Sequence, residues 1–429
     1  MREAGSWRQN LFAATAAGFI GFTGFTLVMP FLPLYFHELG LRDVGEIALW
    51  SGLSLGVTPA LTAALSPLWG RLADRFGRKI MVERSLASFV IVMSAMAYVR
   101  EPWHVFALRA VQGLFAGYGA LTLTMAAESA PPGKTAAAIG FVQTAQRLGP
   151  ALGPVIGGVV AQLVGIRNAF FVSACFYAVA LVLVFVLYHE QPPASRASSG
   201  PKGPVRFRDL IAFEHFLLLM LVVFLVQLVD RSFGPILPLF LGQIGVAPGR
   251  VPLVAGVLFS EAAFAAALGH HVTGRLLQRA PARTLLVGAT SAAAAGALAY
   301  AVAPPAELLF VVTPLFGIAV GVAMTTAYSS AGRMIPAGAG GAGFGLLTTA
   351  SLTALAVSPM LSGALGATSI RAVFAIDGAV MVVLAGVVWR VMRGSGAPGA
   401  PGAALQSPPA APRSSPPRPA PRAGVAMGT

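Results

Sequence analysis

Charge is scarce in this chain. Of 429 residues only 10% are charged, against 56% hydrophobic, and the mean hydropathy is +0.77. An ordinary soluble domain carries about 25% charge, so a soluble domain is excluded. Disorder is excluded over most of the length, because it needs low hydrophobicity and high charge density. Cysteine is scarcer still. Cys175 stands alone inside an apolar run, which excludes an intramolecular disulfide and a cysteine metal cluster. The sequence has no metal-spaced His/Cys set, no Walker-type glycine loop and no nucleophile triad. We therefore expect no metal, no cofactor and no enzymatic activity. Glycine (49) and proline (32) are plentiful, but without the triplet period of collagen. What remains is a polytopic membrane protein.

A bilayer-crossing helix needs about 20 mainly apolar residues. Twelve such stretches are predicted, near 13–36, 47–69, 80–99, 104–126, 136–162, 168–188, 213–240, 251–272, 284–303, 307–330, 339–363 and 371–392. The first run is longer than a signal-peptide core and reads as a retained span. The polar stretch between the sixth and seventh is rich in Pro, Ser and Arg and reads as a linker. The predicted organisation is a six-helix bundle over 1–188, a cytoplasmic linker over 189–212, a second bundle over 213–393 and a disordered tail over 394–429.

The net charge of +14 would suggest nucleic acid in a soluble protein, but here the basic residues sit between apolar runs, so no nucleic acid is expected. With the N-terminus in the cytoplasm, 21 of the 29 basic residues fall on the inner side and only Arg42, Arg100, Arg167, Arg250 and Arg371 on the outer. Arg109, Arg147 and Arg231 remain within spans. The positive-inside rule thus predicts both termini in the cytoplasm.

The two halves repeat at an offset of about 204. Pro30-Phe31-Leu32-Pro33-Leu34-Tyr35 answers to Pro235-Ile236-Leu237-Pro238-Leu239-Phe240, and Gly70-Arg71-Leu72 to Gly274-Arg275-Leu276. Gly113 and Gly117 answer to Gly317 and Gly321, and Ile166-Arg167 to Ile370-Arg371. A duplicated six-span unit is the arrangement of a rocking transporter, with its substrate site between the halves near the midplane.

Three motifs carry a family resemblance. After the second span comes Gly70, then Asp74-Arg75-Phe76-Gly77-Arg78-Lys79. Glycines permit a tight turn, and the basic residues hold it on the inner side. The fourth span carries Arg109-Ala110-Val111-Gln112-Gly113, a charge within a span and so a functional candidate; the repeat places Thr313 at the equivalent position. The fifth span reads Gly140, eight residues, Gly149, three residues, Gly153-Pro154, two residues, Gly157-Gly158. Glycines at i and i+4 make a flat face for close packing.

Together these resemble the major facilitator superfamily. The fifth-span pattern resembles its drug:proton antiporters with twelve spans, and Leu27–Tyr35 and Ser66–Gly70 resemble the MdtG-type multidrug efflux branch. The resemblance runs over about residues 8–393. It implies an all-α membrane protein of two pseudo-symmetric six-helix bundles, lying in the inner (cytoplasmic) membrane as a monomer. It also implies proton-coupled export of lipophilic or amphiphilic compounds, Asp74 and its basic neighbours latching the cytoplasmic side, and Arg109 linked to proton transfer. A metabolite facilitator or a non-transporting sensor with the same fold is the alternative.

Proton coupling needs a carboxyl that changes protonation during the cycle. Asp230, Glu261 and Asp377 lie within apolar runs. We take Asp230, Glu261, Arg109, Arg147 and Arg231 as coupling candidates. Asp230 and Arg231 are adjacent, point about 100° apart on a helix and need not pair. Counting residues from the two membrane faces brings Arg147 and Glu261 together near the midplane, as a pair whose protonation would release the arginine. His270-His271 ends the eighth span and is expected at the interface.

Overall fold

The computed structural model describes residues 3–131, 133–190, 215–302, 305–335 and 340–392. The predicted linker beyond Glu190 and the predicted tail lie outside these residues. Every regular element among them is helical. The first half holds α1 (Glu3–Leu27), α2 (Leu32–Glu38), α3 (Val44–Phe76), α4 (Arg78–Met96), α5 (Pro102–Phe115), α6 (Tyr118–Ser129), α7 (Thr135–Val164) and α8 (Ile166–Leu187). The second holds α9 (Phe216–Gln243), α10 (Val251–Arg279), α11 (Ala282–Ala301), α12 (Ala306–Met334), α13 (Gly340–Gly366) and α14 (Ile370–Val391).

Among the described residues, eleven segments are long and apolar enough to cross a membrane, with α5 and α6 counted as one. The twelfth is α4, whose first two turns carry Arg78, Lys79, Glu83 and Arg84. Each half has its own hydrophobic core. One is drawn entirely from residues 13–188 and the other, Ala48 apart, from 216–392.

Three expectations about the helices change. The first span is interrupted: α1 stops at Leu27, and a turn through Val28–Phe31 containing Pro30 leads into α2. Its repeat partner α9 runs unbroken through Pro235 and Pro238. The fourth span is interrupted as well, at Ala116-Gly117, where Gly117 has φ +126°. Such a break is tolerated at membrane depth only if the freed backbone groups find partners. They do: Trp69 Nε1 donates to the Leu114 carbonyl at 2.9 Å, and Arg84 donates to the Phe115 carbonyl at 3.1 Å. Arg84 also lies 3.5 Å over the Trp69 ring. Third, α3 continues past the predicted end at 69 to Phe76. Nothing from Gly70 to Phe76 stops the helix until Gly77, whose φ of +98° breaks it.

Two seams join the halves. In one, α3 meets α13: a Cβ on Gly52 would collide with the Pro359 carbonyl and Gly363, and one on Gly56 with the Ala356 carbonyl. In the other, α7 meets α10: Gly158 faces Pro252 and Leu253, Gly256 faces the Pro154 carbonyl, and the Val155 N–H donates to Ser260 Oγ at 3.0 Å. Both seams lie toward the end of the molecule where α3 and α10 begin and α7 and α13 end. Toward the opposite end, which carries the α3–α4 turn, the halves part around a cavity.

Candidate functional site

The cavity between the halves has a volume of about 610 Å³, within the range of small-molecule sites. Its walls come from both halves. Aromatic and sulfur side chains supply much of the surface, among them Met29, Phe233, Phe259, Phe316, Met324 and Tyr328. Besides Tyr300 and Tyr328, the charged and titratable groups are few: Arg147 from α7, Asp230 and Arg231 from α9, and His270 from α10.

Asp230 and Arg231 lie in ionic contact at 3.1 Å, nearer than their helical separation suggested. The Arg231 Nε makes no directed hydrogen bond, so the contact is Coulombic. Side-chain flexibility closes the 100° between them. Arg147, by contrast, is exposed to the cavity and forms no ion pair among the described residues.

Glu261 is not on the cavity wall and does not pair with Arg147. It lies beside the α7–α10 seam, next to Ser260, with Oε2 buried and lacking a hydrogen-bond partner. The expected meeting fails on orientation: Arg147 faces the cavity, whereas Glu261 lies off its wall beside the seam.

Arg109 is away from the cavity too. It is buried in the first-half core, where Nη1 donates to Gln112 Oε1 at 2.9 Å and its backbone carbonyl accepts from Thr58 Oγ1 at 2.8 Å. Its Nε and Nη2 have no hydrogen-bond partner, and the same holds for Gln112 Nε2, Ser51 Oγ, Ser54 Oγ, Tyr118 Oη and Tyr177 Oη. Asp377, which lies near the end of its span, is 4% exposed and accepts a hydrogen bond from Ser232.

The glycine motif of the fifth span does two jobs. Gly149, Gly153 and Gly157 face α1: a Cβ would meet Phe19 and Thr23, then Thr26, then the Leu27 carbonyl. Pro154 and Gly158 face α10 across the seam. Gly140 faces open space.

The motif after the second span straddles the end of α3, the Gly77 turn and the start of α4. Arg78 reaches Asp74 at 3.1 Å and Glu128 at 2.9 Å, and its N–H donates to Glu190 at 2.7 Å. Lys79 donates to the Phe185 and Tyr188 carbonyls. Arg75 lies over Phe76, and Gly70 has open space around it. These contacts tie α3 and α4 to α6 and α8, all within the first half.

The sequence matches the Major Facilitator Superfamily over residues 14–313 and 219–425. The chain belongs to that superfamily. Within it, the chain is 33% identical over 288 residues to the multidrug resistance protein MdtG of Escherichia fergusonii, covering 67% of this chain and 70% of the relative. It is 30% identical to a multi-drug resistance efflux pump PmrA homolog of Lactococcus lactis, covering 63% and 67%. Among solved superfamily structures, a D-xylose-proton symporter superposes with TM-score 0.72 at 14% identity, covering 90% of this chain and 98% of the other. At that identity only the fold is shared. The protein is thus a multi-pass membrane transporter of small molecules, not an enzyme.

His270 is the cavity residue that the span count missed. Helix α10 continues to Arg279, so His270 lies on the cavity wall rather than at the interface. The signal was present: Ala262, Ala263, Ala266, Ala267 and His270 share one face at helical spacing.

Proposed function

We propose that this transporter is a proton-coupled antiporter that exports lipophilic or amphiphilic compounds by alternating access, as a monomer in the cytoplasmic membrane with both termini inside. The observation that carries the reading is the cavity between the halves: an aromatic and methionine wall from the second half faces Met29, Pro150 and Pro154 of the first, beside an Asp230–Arg231 ion pair. Apolar walls suit greasy substrates of varied shape, with Met adapting to each. A carboxylate on the wall gives a proton a place to bind that competes with the substrate. The names of relatives at about 30% identity, multidrug resistance protein and efflux pump, support the substrate class.

In this reading the α3–α13 and α7–α10 seams are the closed side of an inward-facing state. Rocking would part these seams and close the opposite end. Asp230 is the leading coupling carboxyl and Arg231 its counter-charge. Glu261, Arg147 and Arg109 act on the equilibrium between states, and Asp74 with Arg75, Arg78 and Lys79 stabilises the inner end of the first half.

The test is extrusion by purified protein in vesicles. An imposed proton gradient should drive uphill movement of lipophilic dyes or drugs, and proton movement in the opposite direction should accompany it. Movement of sugars or amino acids instead, or drug movement indifferent to the gradient, would overturn the reading.

A further inference from the structure

The cavity wall carries one imidazole, that of His270. His270 projects from α10 with its Nδ1 2.6 Å from Thr325 Oγ1 on α12. The ring is thereby oriented while it remains half-buried on the cavity wall. The charged and titratable groups facing it are Arg147 from α7, Asp230 and Arg231 from α9, and Tyr328 from α12. Glu261 precedes it on α10, and Tyr300 of α11 lines the same cavity. Arg147 and Asp230 are close enough to act electrostatically on the ring.

These neighbours are not equivalent. Asp230 already faces Arg231 at 3.1 Å, so its charge is partly answered. Arg147 has no acid partner among the described residues and belongs to the other half of the molecule. Imidazole is the side chain whose ordinary titration spans pH 5–8. Charging His270 places two like charges on opposing walls, inward of the α7–α10 seam, where the halves are free to part.

We propose that His270 is a proton-coupling residue, and that its protonation holds the inner end of the transporter open by repulsion from Arg147. The proposal rests on the proton-antiport reading and gives it a direction. A protonated carrier stays open to the cytoplasm, and loss of the proton there removes the repulsion and permits closure. Low pH therefore favours the open inner end, and high pH releases it. The proton exchanges with water at the ring and no bond to substrate forms.

The experiment uses the full chain in proteoliposomes, with Cys175→Ser and spin labels at Ala137→Cys on α7 and Arg275→Cys on α10. The inter-label distance distribution is measured at pH 6 and pH 8, and dye extrusion is followed over the same range. In the parent the longer distance should dominate at pH 6 and recede at pH 8. H270Q and H270N should lose this shift and flatten the pH profile of transport to within about twofold. H270K, permanently charged, should keep the longer distance at both pH values, and R147Q should abolish the shift with His270 intact. Size-exclusion behaviour identifies any variant that misfolds, and the Gln and Asn variants serve as replacements for each other. A shift in folded H270Q or H270N equal to that of the parent would overturn the proposal, as would a full shift in R147Q. Proton-driven extrusion that persists in the parent alongside either result would leave the antiport reading standing. Extrusion by the parent that ignores the gradient would overturn that reading instead.

Discussion

The two halves share an outline but differ inside. Both clamp the start of their third span to the end of their sixth in the same way. Lys79 reaches the Phe185 carbonyl and lies over its ring, while Arg283 donates to the Trp389 carbonyl at 2.8 Å and lies 3.7 Å over that ring. The repeat offset maps each member of one clamp onto the other. The interiors have diverged. The first half breaks its first and fourth spans and buries a cation, Arg109, among hydroxyls and amides without an acid. The second keeps α9 and α12 continuous and buries a carboxyl, Asp377 on Ser232, with one oxygen of the half-buried Glu261 also enclosed beside the seam. The scaffold is repeated, and the polar interior differs by half.

The sharpest way to break this comparison is to move the charge. Thr313, the counterpart of Arg109, contacts the Tyr300 hydroxyl in a core that includes Phe233 and Phe316. Thr313→Arg should lose several kcal/mol, because it buries a cation beside the Tyr300 hydroxyl and aromatic rings with no acid to receive it, and yield little folded protein by size-exclusion analysis. Arg109→Gln in the first half should fold normally and lose transport at least tenfold, since it removes a charge without removing a packing partner. Equal tolerance at both sites would mean that the interiors have not specialised.

A second effect concerns the glycine face. Gly157→Leu drives its side chain into the Leu27 carbonyl at the end of α1 and should reduce extrusion more than tenfold. Gly140→Leu, facing open space, should stay within twofold. Similar rates for the two would make the motif's spacing incidental. The smallest effect sharpens the likeness between halves. Lys79→Gln and Arg283→Gln should each lower stability by about 0.5–2 kcal/mol, the scale of a partly desolvated cation–π contact, with Arg283 costing more because its ring contact is shorter. Thermal unfolding in detergent measures both.

Much of the fold was legible in the residues because bilayer thickness imposes a length on each helix and the repeat fixes their order. The breaks in the first and fourth spans were not, since Pro30 and Gly117 have counterparts, Pro235 and Gly321, that leave their helices intact. What differs is whether a side chain such as Trp69 or Arg84 reaches the freed carbonyls, and that is a tertiary fact. The site was legible in part. Asp230, Arg231 and Arg147 were singled out as charges within spans and lie on the cavity. Pairing Arg147 with Glu261 failed because counting depth does not say which way each side chain faces. His270 was missed because a span that stops at 272 puts it at the interface, and a helix that runs to Arg279 puts it on the wall.

The measurement that bears most directly on the account is gradient-driven extrusion by Asp230→Asn and Glu261→Gln in sealed vesicles, alongside substrate binding and exchange without a gradient. Coupling through the cavity predicts that Asp230→Asn binds and exchanges substrate but no longer accumulates it against its gradient, while Glu261→Gln, off the cavity wall, retains a reduced gradient response. Full gradient-driven accumulation by Asp230→Asn would contradict it.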